Sequence, residues 1–179
     1  MQKLGFIAFA LLASSASALT LTSPDMKQGS TIALEQVFSS FGCTGQNLSP
    51  ALNWTGVPTN TKSFALTVYD PDAPTGSGFW HWVVYNIPAT VMSLPKNAGN
   101  PSSNLMPTGA VQSNTDFGAP GYGGPCPPAG DKPHRYRFTL YALDVDKLEL
   151  PANATAAFVG FNLNGKILAK ARFNALFGR

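Results

Sequence analysis

The sequence predicts one mostly β domain with one or two short helices. Several segments alternate between apolar and polar side chains or are rich in aromatic and β-branched residues, which is typical of strands. Glycine (17) and proline (15) are frequent, and charged residues make up only 12% of the 179 residues, a balance that favours a compact, loop-rich β protein. The net charge is +3 and no basic face is clustered, which argues against nucleic-acid binding.

Three segments predict the central strands. Residues 62–69 (KSFALTVY) alternate and are rich in β-branched and aromatic side chains. Residues 80–87 (WHWVVYNI) are nearly apolar on both faces, as a strand inside a sheet would be. Residues 135–143 (RYRFTLYAL) alternate cleanly, which predicts that one face carries Tyr136, Phe138, Leu140 and Ala142.

The C-terminal part predicts a helix and a last strand. Within residues 152–163, four side chains recur at the spacing of one apolar helix face: Ala154, Ala157, Phe158 and Phe161. Gly165 is suited to end this helix, and residues 167–176 alternate well enough for a strand. Proline and glycine punctuate residues 88–128, so this stretch is expected to be a functional loop or to wrap the sheet.

The N-terminus has the pattern of a cleaved secretory signal. Lys3 precedes an apolar run from Leu4 to Ala13, and residues 16–18 (ASA) fit a cleavage site. The run is shorter than the about 20 residues that span a bilayer. A buried N-terminal helix is the alternative, which fits the Ser/Ala-rich end poorly. We therefore expect a signal peptide at 1–18, a single domain at 19–179, no transmembrane segment, and a periplasmic or secreted location.

Cys43 and Cys126 are the only cysteines. Export to an oxidising compartment favours a disulfide between them. Such a bond would close a loop of about 80 residues and contribute roughly 4–5 kcal/mol in the chain-entropy model. Two free buried thiols are an alternative, because two cysteines alone fix no geometry. A reactive thiol at Cys126 is a weaker alternative, since only His134 lies nearby in sequence to stabilise a thiolate.

The first candidate site segment follows a predicted strand and ends near His81. Asp70 and Asp72 lie two residues apart, so in extended geometry both carboxylates face the same side, while Pro71 and Pro74 stiffen the loop. The two acids could instead only cap turns. On a regular strand His81 faces away from both neighbouring tryptophans, and it could equally be a hydrogen-bonded core histidine.

The second candidate segment is rich in glycine. Glycines at 118, 121, 123, 124 and 130 predict a loop whose backbone N–H groups turn toward a bound anion. His134 and Tyr136 point to the same side of the sheet at the start of the following strand, so they would add an imidazole and a phenol to this site. Together the two segments predict a cradle for a phosphate or carboxylate, in which Asp70 and Asp72 orient the imidazoles. The glycine loop alone is weak evidence, because it lacks P-loop spacing.

These residues resemble the phosphatidylethanolamine-binding proteins, a family that includes Raf kinase inhibitor protein, and most closely its bacterial YbhB/YbcL-type branch. The similarity covers well over half of the expected mature chain. The matching motifs run in the family's order: NLSP from Asn47 with Trp54, DPDAP from Asp70, His81-Trp82, Asn86-Ile87-Pro88, GYGGPCPP from Gly121, His134-Arg135-Tyr136 with Phe138, and Leu143-Asp144.

The resemblance implies a large antiparallel sheet packed on a smaller one, with helices near the C-terminus. It implies an anion pocket at one sheet edge, lined by Asp70, Asp72, His81, His134 and Tyr136 and shaped by Pro71, Pro74, Tyr122 and Gly124. Cys126 replaces a glycine of many eukaryotic relatives, so a bond to Cys43 would brace the pocket loop. The resemblance also suggests kinase or protease inhibition through a protein target, and a homodimer.

The expected function is binding of a small anion or phosphate group, without catalytic residues, metal or cofactor. A hydrolase using His81 and His134 as acid and base on a phosphoryl or acyl substrate is the alternative. Ser49 precedes a proline and has no assignable histidine, which argues against a serine hydrolase. Two histidines and two aspartates could hold Zn²⁺, but their spacing matches no established zinc motif.

Overall fold

The computed structural model describes residues 18–151 and 153–179. Two short 3₁₀ turns at Leu34–Gln36 and Pro101–Ser103 accompany the regular elements of the described residues. These elements are the helix α1 (Ala156–Leu163) and the strands β1 (Thr20–Thr22), β2 (Leu52–Thr55), β3 (Ser63–Asp70), β4 (Phe79–Pro88), β5 (Ser93–Leu94), β6 (Val111–Gln112), β7 (His134–Leu143) and β8 (Ile167–Phe177). The predicted signal peptide falls, apart from Ala18, outside the described residues.

The strands form two antiparallel sheets, as expected. The large sheet has the order β6-β4-β3-β7-β8, and the small sheet has the order β1-β2-β5. The four long strands are the ones that the sequence predicts, β3, β7 and β8 from alternation and β4 from its apolar character on both faces. The small sheet was not predicted from periodicity, because its strands contain only four, three and two residues and are too short to show a period.

The main core lies between the two sheets. The row Tyr136, Phe138, Leu140 and Ala142 of β7 is fully buried there, which confirms the predicted facing. Trp54 of β2 meets Phe64 of β3 across the interface, with ring centroids 5.5 Å apart. The apolar faces of both sheets therefore share one core, which holds β3, β4 and β7 in place.

A second core covers the outer face of the large sheet. Helix α1 buries Ala156, Val159 and Leu163 against β3, β4 and the loops before the helix. The predicted buried face of this helix is wrong for Ala157, Phe158 and Phe161, which are exposed, and right only for Ala154, which precedes the helix. Both faces of the helix carry apolar residues, so the sequence pattern fits either face. The face that carries Val159 and Leu163 is the buried one. Thr155 caps the N-terminus by accepting the Phe158 N–H, and Gly165 follows the end of the helix at φ 76°.

None of the helices in the described ranges combines the length and the apolar character that crossing a bilayer requires.

Candidate functional site

A cavity of about 240 Å³ opens where β3 ends and where β4 and β7 begin. It brings together residues far apart in the chain, including both histidines. Five of the predicted site residues line it: Asp70, Pro74, His81, His134 and Tyr136. The remaining lining residues are Phe41, Ala73, Thr75, Phe79, Phe117, Cys126, Pro127 and Pro128.

His81 reaches this cavity through a β-bulge. Tyr69 pairs with Trp80 and Val68 pairs with Trp82, so His81 is an extra residue in β4. Its ring lies 5.1 Å from the Tyr136 ring, on the side of the sheet to which Trp82 also belongs. The predicted facing of His81 away from Trp82 is therefore wrong, because a bulge turns two successive side chains to one side.

The tautomer of His81 is fixed by a backbone acceptor. The Nδ1–H group donates to the Gly123 carbonyl at 2.7 Å, so in the neutral ring Nε2 carries no proton. Burial lowers the pKa of His81, although the Gly123 carbonyl and the Asp70 charge act in the opposite direction. His81 is therefore neutral at pH 7, and Nε2 is a hydrogen-bond acceptor there.

The lowered pKa predicts that His81 makes the protein less stable in acid. Below the ordinary histidine pKa of about 6.5, the unfolded chain binds a proton that the folded protein does not. The free energy of unfolding should therefore fall as the pH drops from 7 to 5, by up to about 1.4 kcal/mol per pH unit for one proton. Urea denaturation of wild type and His81→Gln at several pH values measures this, and the slope should be shallower in the variant. Equal slopes would show that His81 is not responsible.

His134, the first residue of β7, lies between two carboxylates. Its Nδ1–H donates to Asp70 Oδ2 at 2.7 Å, and its Nε2 lies 3.3 Å from Asp131 Oδ2. Asp70 and the His134 ring are almost completely buried, whereas the Asp131 side chain is 42% exposed. Two carboxylate oxygens therefore lie within hydrogen-bond distance of the His134 ring at this edge of the cavity.

Tyr136 carries the least satisfied polar group of the cavity lining. Its side chain is fully buried, and its hydroxyl makes no hydrogen bond of regular geometry within the described part of the chain, although the Asp70 carboxylate lies close enough to interact with it. Burial raises the pKa of Tyr136, and the nearby Asp70 charge raises it further, so the hydroxyl keeps its proton. A buried donor without an acceptor costs free energy that a bound ligand could recover.

Asp72 does not line the cavity, which corrects the prediction that it would. The chain turns after Asp70, whose Oδ1 accepts the Asp72 N–H at 2.8 Å. The Asp72 side chain instead accepts from the backbone N–H and Nε of Arg135, at 2.9 and 2.8 Å. The Arg135 guanidinium holds the pKa of Asp72 down at about 2. The two carboxylates therefore orient successive residues of β7, Asp70 holding His134 and Asp72 holding Arg135.

The glycine-rich loop does not present a set of free amides. The Gly123 N–H donates to the His81 carbonyl at 2.9 Å, and the Gly124 N–H donates to Asn47 Oδ1 at 2.7 Å. A Cβ at Gly123 would lie 2.1 Å from the Phe117 ring, and one at Gly124 would lie 2.1 Å from the Gln36 carbonyl. These glycines are thus required for close packing, and the expected anion nest is not formed by them.

Three other predicted residues lie outside the cavity lining. Tyr122 is buried behind it, where its hydroxyl donates to the Gln36 carbonyl at 2.9 Å and burial raises its pKa. Gly124 packs against the same segment. Pro71 lies in the turn between Asp70 and Asp72, next to the cavity wall formed by Ala73 and Pro74. Their positions fit a shaping role rather than direct contact.

Aromatic side chains make up much of the cavity wall, and they are not among the site residues predicted from the sequence. The Phe117 ring centroid lies 4.9 Å from that of Phe79 and 6.2 Å from that of Phe41. The disulfide between Cys43 and Cys126 closes this wall and confirms the predicted pairing. The phenylalanines come from three separate segments, so no local pattern connects them.

The comparisons with known proteins agree with this architecture. The family model described as phosphatidylethanolamine-binding protein (PEBP) matches residues 22–178. The chain belongs to the PEBP family. This PEBP is 51% identical to the UPF0098 protein YbcL of Escherichia coli over 171 residues, which are 96% of this chain and 93% of YbcL. The crystal structure of E. coli YbcL, described as a new member of the mammalian PEBP family, superposes with a TM-score of 0.88, covering 91% of this chain and 99% of that one.

Two further relatives place this PEBP in the bacterial branch of the family. The UPF0098 protein YbhB of E. coli is 46% identical over 159 residues, covering 89% of this chain and 99% of YbhB. LppC of Mycobacterium tuberculosis, whose name describes it as a lipoprotein, is 38% identical over 143 residues, covering 80% of this chain and 64% of LppC. The predicted resemblance to the YbhB/YbcL-type branch is thus confirmed.

Proposed function

We propose that this PEBP binds a small anionic group, a phosphate or a carboxylate, in the cavity between His81 and His134. The observation that supports this most strongly is the buried hydroxyl of Tyr136, a residue of the cavity lining, because this donor makes no regular hydrogen bond among the described residues. An anion oxygen is the kind of acceptor that such a donor lacks, and hydrogen bonds to charged groups are the stronger ones. The family name supports a ligand that carries a phosphate group.

The two histidines would contribute in different ways. His134, held by Asp70, supplies positive charge when both ring nitrogens are protonated. His81 is neutral with Nε2 as an acceptor, which suits the P–OH group of a monoprotonated phosphate. A phosphate that carries one proton can therefore donate to His81 and accept from Tyr136 at once.

We propose binding rather than catalysis. Thr75 and Cys126 are the lining residues with a hydroxyl or a sulfur besides Tyr136, and neither is free. The Thr75 hydroxyl donates to the Gly78 carbonyl, and Cys126 is in the disulfide. Neither residue can therefore supply the nucleophile of a covalent mechanism, which needs a base in hydrogen-bond reach, and the hydrolase that uses His81 and His134 as acid and base stays the alternative.

Export is part of the proposal. The N-terminal pattern, the disulfide and the lipoprotein name of LppC all support a location outside the cytoplasm. Kinase or protease inhibition and a homodimer stay predictions of the family resemblance.

The variant Tyr136→Phe tests the proposed site. Removing the hydroxyl should weaken the affinity for inorganic phosphate and for acetate about tenfold, because a hydrogen bond to a charged group is lost. The thermal midpoint should change little, since the hydroxyl makes no regular hydrogen bond that the substitution would remove. Calorimetric or NMR titration measures the affinity. Tyr141→Phe, on a half-buried residue outside the cavity lining, is the control. Unchanged phosphate affinity in Tyr136→Phe would remove Tyr136 from the site.

A further inference from the structure

The polar groups of the cavity cover only a part of its wall. Most of the rest consists of phenyl rings and proline rings: Phe41, Phe79, Phe117, Pro74, Pro127 and Pro128. A phosphate or acetate ion bound at Tyr136 and His134 would leave these rings in contact with water. Ligand pockets usually combine an apolar wall with a few polar groups that fix orientation. The apolar wall therefore indicates that the ligand has an apolar part besides its charged group.

Phe41 is the most unusual residue of this wall. Its side chain is 69% exposed, so its ring gains little from folding. Its backbone has φ 56°, in the left-handed region that is unfavourable for a bulky residue. Strained residues of this kind persist only where their surroundings hold them, and they cluster at ligand-binding sites.

Several contacts hold Phe41 in this conformation. Cys43, two residues after Phe41, forms the disulfide with Cys126, which also lines the cavity. The Arg179 guanidinium donates to the Phe41 and Gly42 carbonyls at 3.4 and 3.0 Å. The Phe41 ring lies nearly parallel to that of Phe117, at an interplanar angle of 18°. The chain therefore fixes an exposed ring at the edge of the cavity.

We propose that the ligand is an organic anion, a carboxylate or a phosphate monoester, that carries an apolar group about the size of one phenyl ring. The charged group binds Tyr136 and His134, and the apolar group packs against Phe41 and Phe117. This inference rests on the proposed function, because the charged end uses the same polar groups. It adds that the apolar wall supplies much of the affinity.

Matched ligand pairs test the inference by calorimetric or ligand-observed NMR titration. Phenyl phosphate should bind at least about tenfold more tightly than inorganic phosphate, and benzoate should exceed acetate similarly, because a buried ring adds apolar contact. An undetectable affinity for phosphate beside a measurable one for phenyl phosphate supports the same conclusion. Equal affinities within each pair would overturn it.

The variant Phe41→Ala localises the effect. It should remove most of the preference for phenyl phosphate over phosphate, because phenyl phosphate should lose much more affinity than phosphate does. Phe161→Ala is the matched control, since Phe161 is 72% exposed on α1 and does not line the cavity. A preference that survives in Phe41→Ala, or that is lost equally in Phe161→Ala, would contradict the assignment to Phe41.

The outcomes separate this inference from the proposed function. Failure of phosphate, acetate, phenyl phosphate and benzoate to bind would contradict the proposed function itself. Phenol, which has the ring without the charge, should bind much more weakly than phenyl phosphate. Equal binding of phenol and phenyl phosphate would show an apolar pocket without an anion site, and this too would contradict the proposed function.

Discussion

Replacing Cys43 and Cys126 together by serine should lower the free energy of unfolding by about 4–5 kcal/mol. The bond joins residues 83 positions apart, so its loss gives the unfolded chain a large increase in conformational freedom. Equilibrium denaturation in urea or guanidinium, with the oxidised wild type as reference, measures the difference.

Reduced wild-type protein serves as the control for the serine substitutions. Because the variant and the reduced protein both lack the cross-link, their free energies of unfolding should agree closely. The oxidised wild type should show no free thiols after denaturation. A loss below about 1 kcal/mol in both would mean that the unfolded chain is already compact enough to make the cross-link unimportant.

His134→Ala is expected to cost about 3–5 kcal/mol of stability, because it leaves the buried Asp70 carboxylate without its partner. The neighbouring pair provides a matched control. Arg135→Ala removes the partner of Asp72 at a site where the arginine side chain is 53% exposed, and such pairs are worth about 0–1 kcal/mol. Urea denaturation of both variants at pH 7 makes the comparison. Similar losses in the two variants would show that burial of the Asp70–His134 pair has no special energetic effect.

The strands β3, β7 and β8 could be predicted because their residues alternate, and β4 because it is nearly apolar on both faces. The meeting of His81, His134 and Tyr136 was expected from their places beside strand ends and from the family resemblance. The bulge at His81 could not be expected, since it depends on how β4 pairs with β3.

Other parts of the site depend on tertiary packing and were therefore missed. The glycines at 123 and 124 were predicted to offer free amides, but their N–H groups are taken by His81 and Asn47. Asp72 follows a strand in sequence, yet the turn after Asp70 directs it to Arg135. The wall around Phe117 joins segments that are neighbours only in the folded chain.

The extra residue in β4 makes the length of this strand critical for evolution and for engineering. With His81 present, Phe79 and His81 reach the cavity while Trp80 packs with the outer core. Deleting His81 would straighten the strand and leave Phe79 and Trp80 on their present faces, so the cavity would lose its imidazole; deleting Trp80 would instead turn His81 to the outer face. Insertions and deletions should therefore be tolerated in the surface loops of this protein and selected against between Phe79 and Trp82.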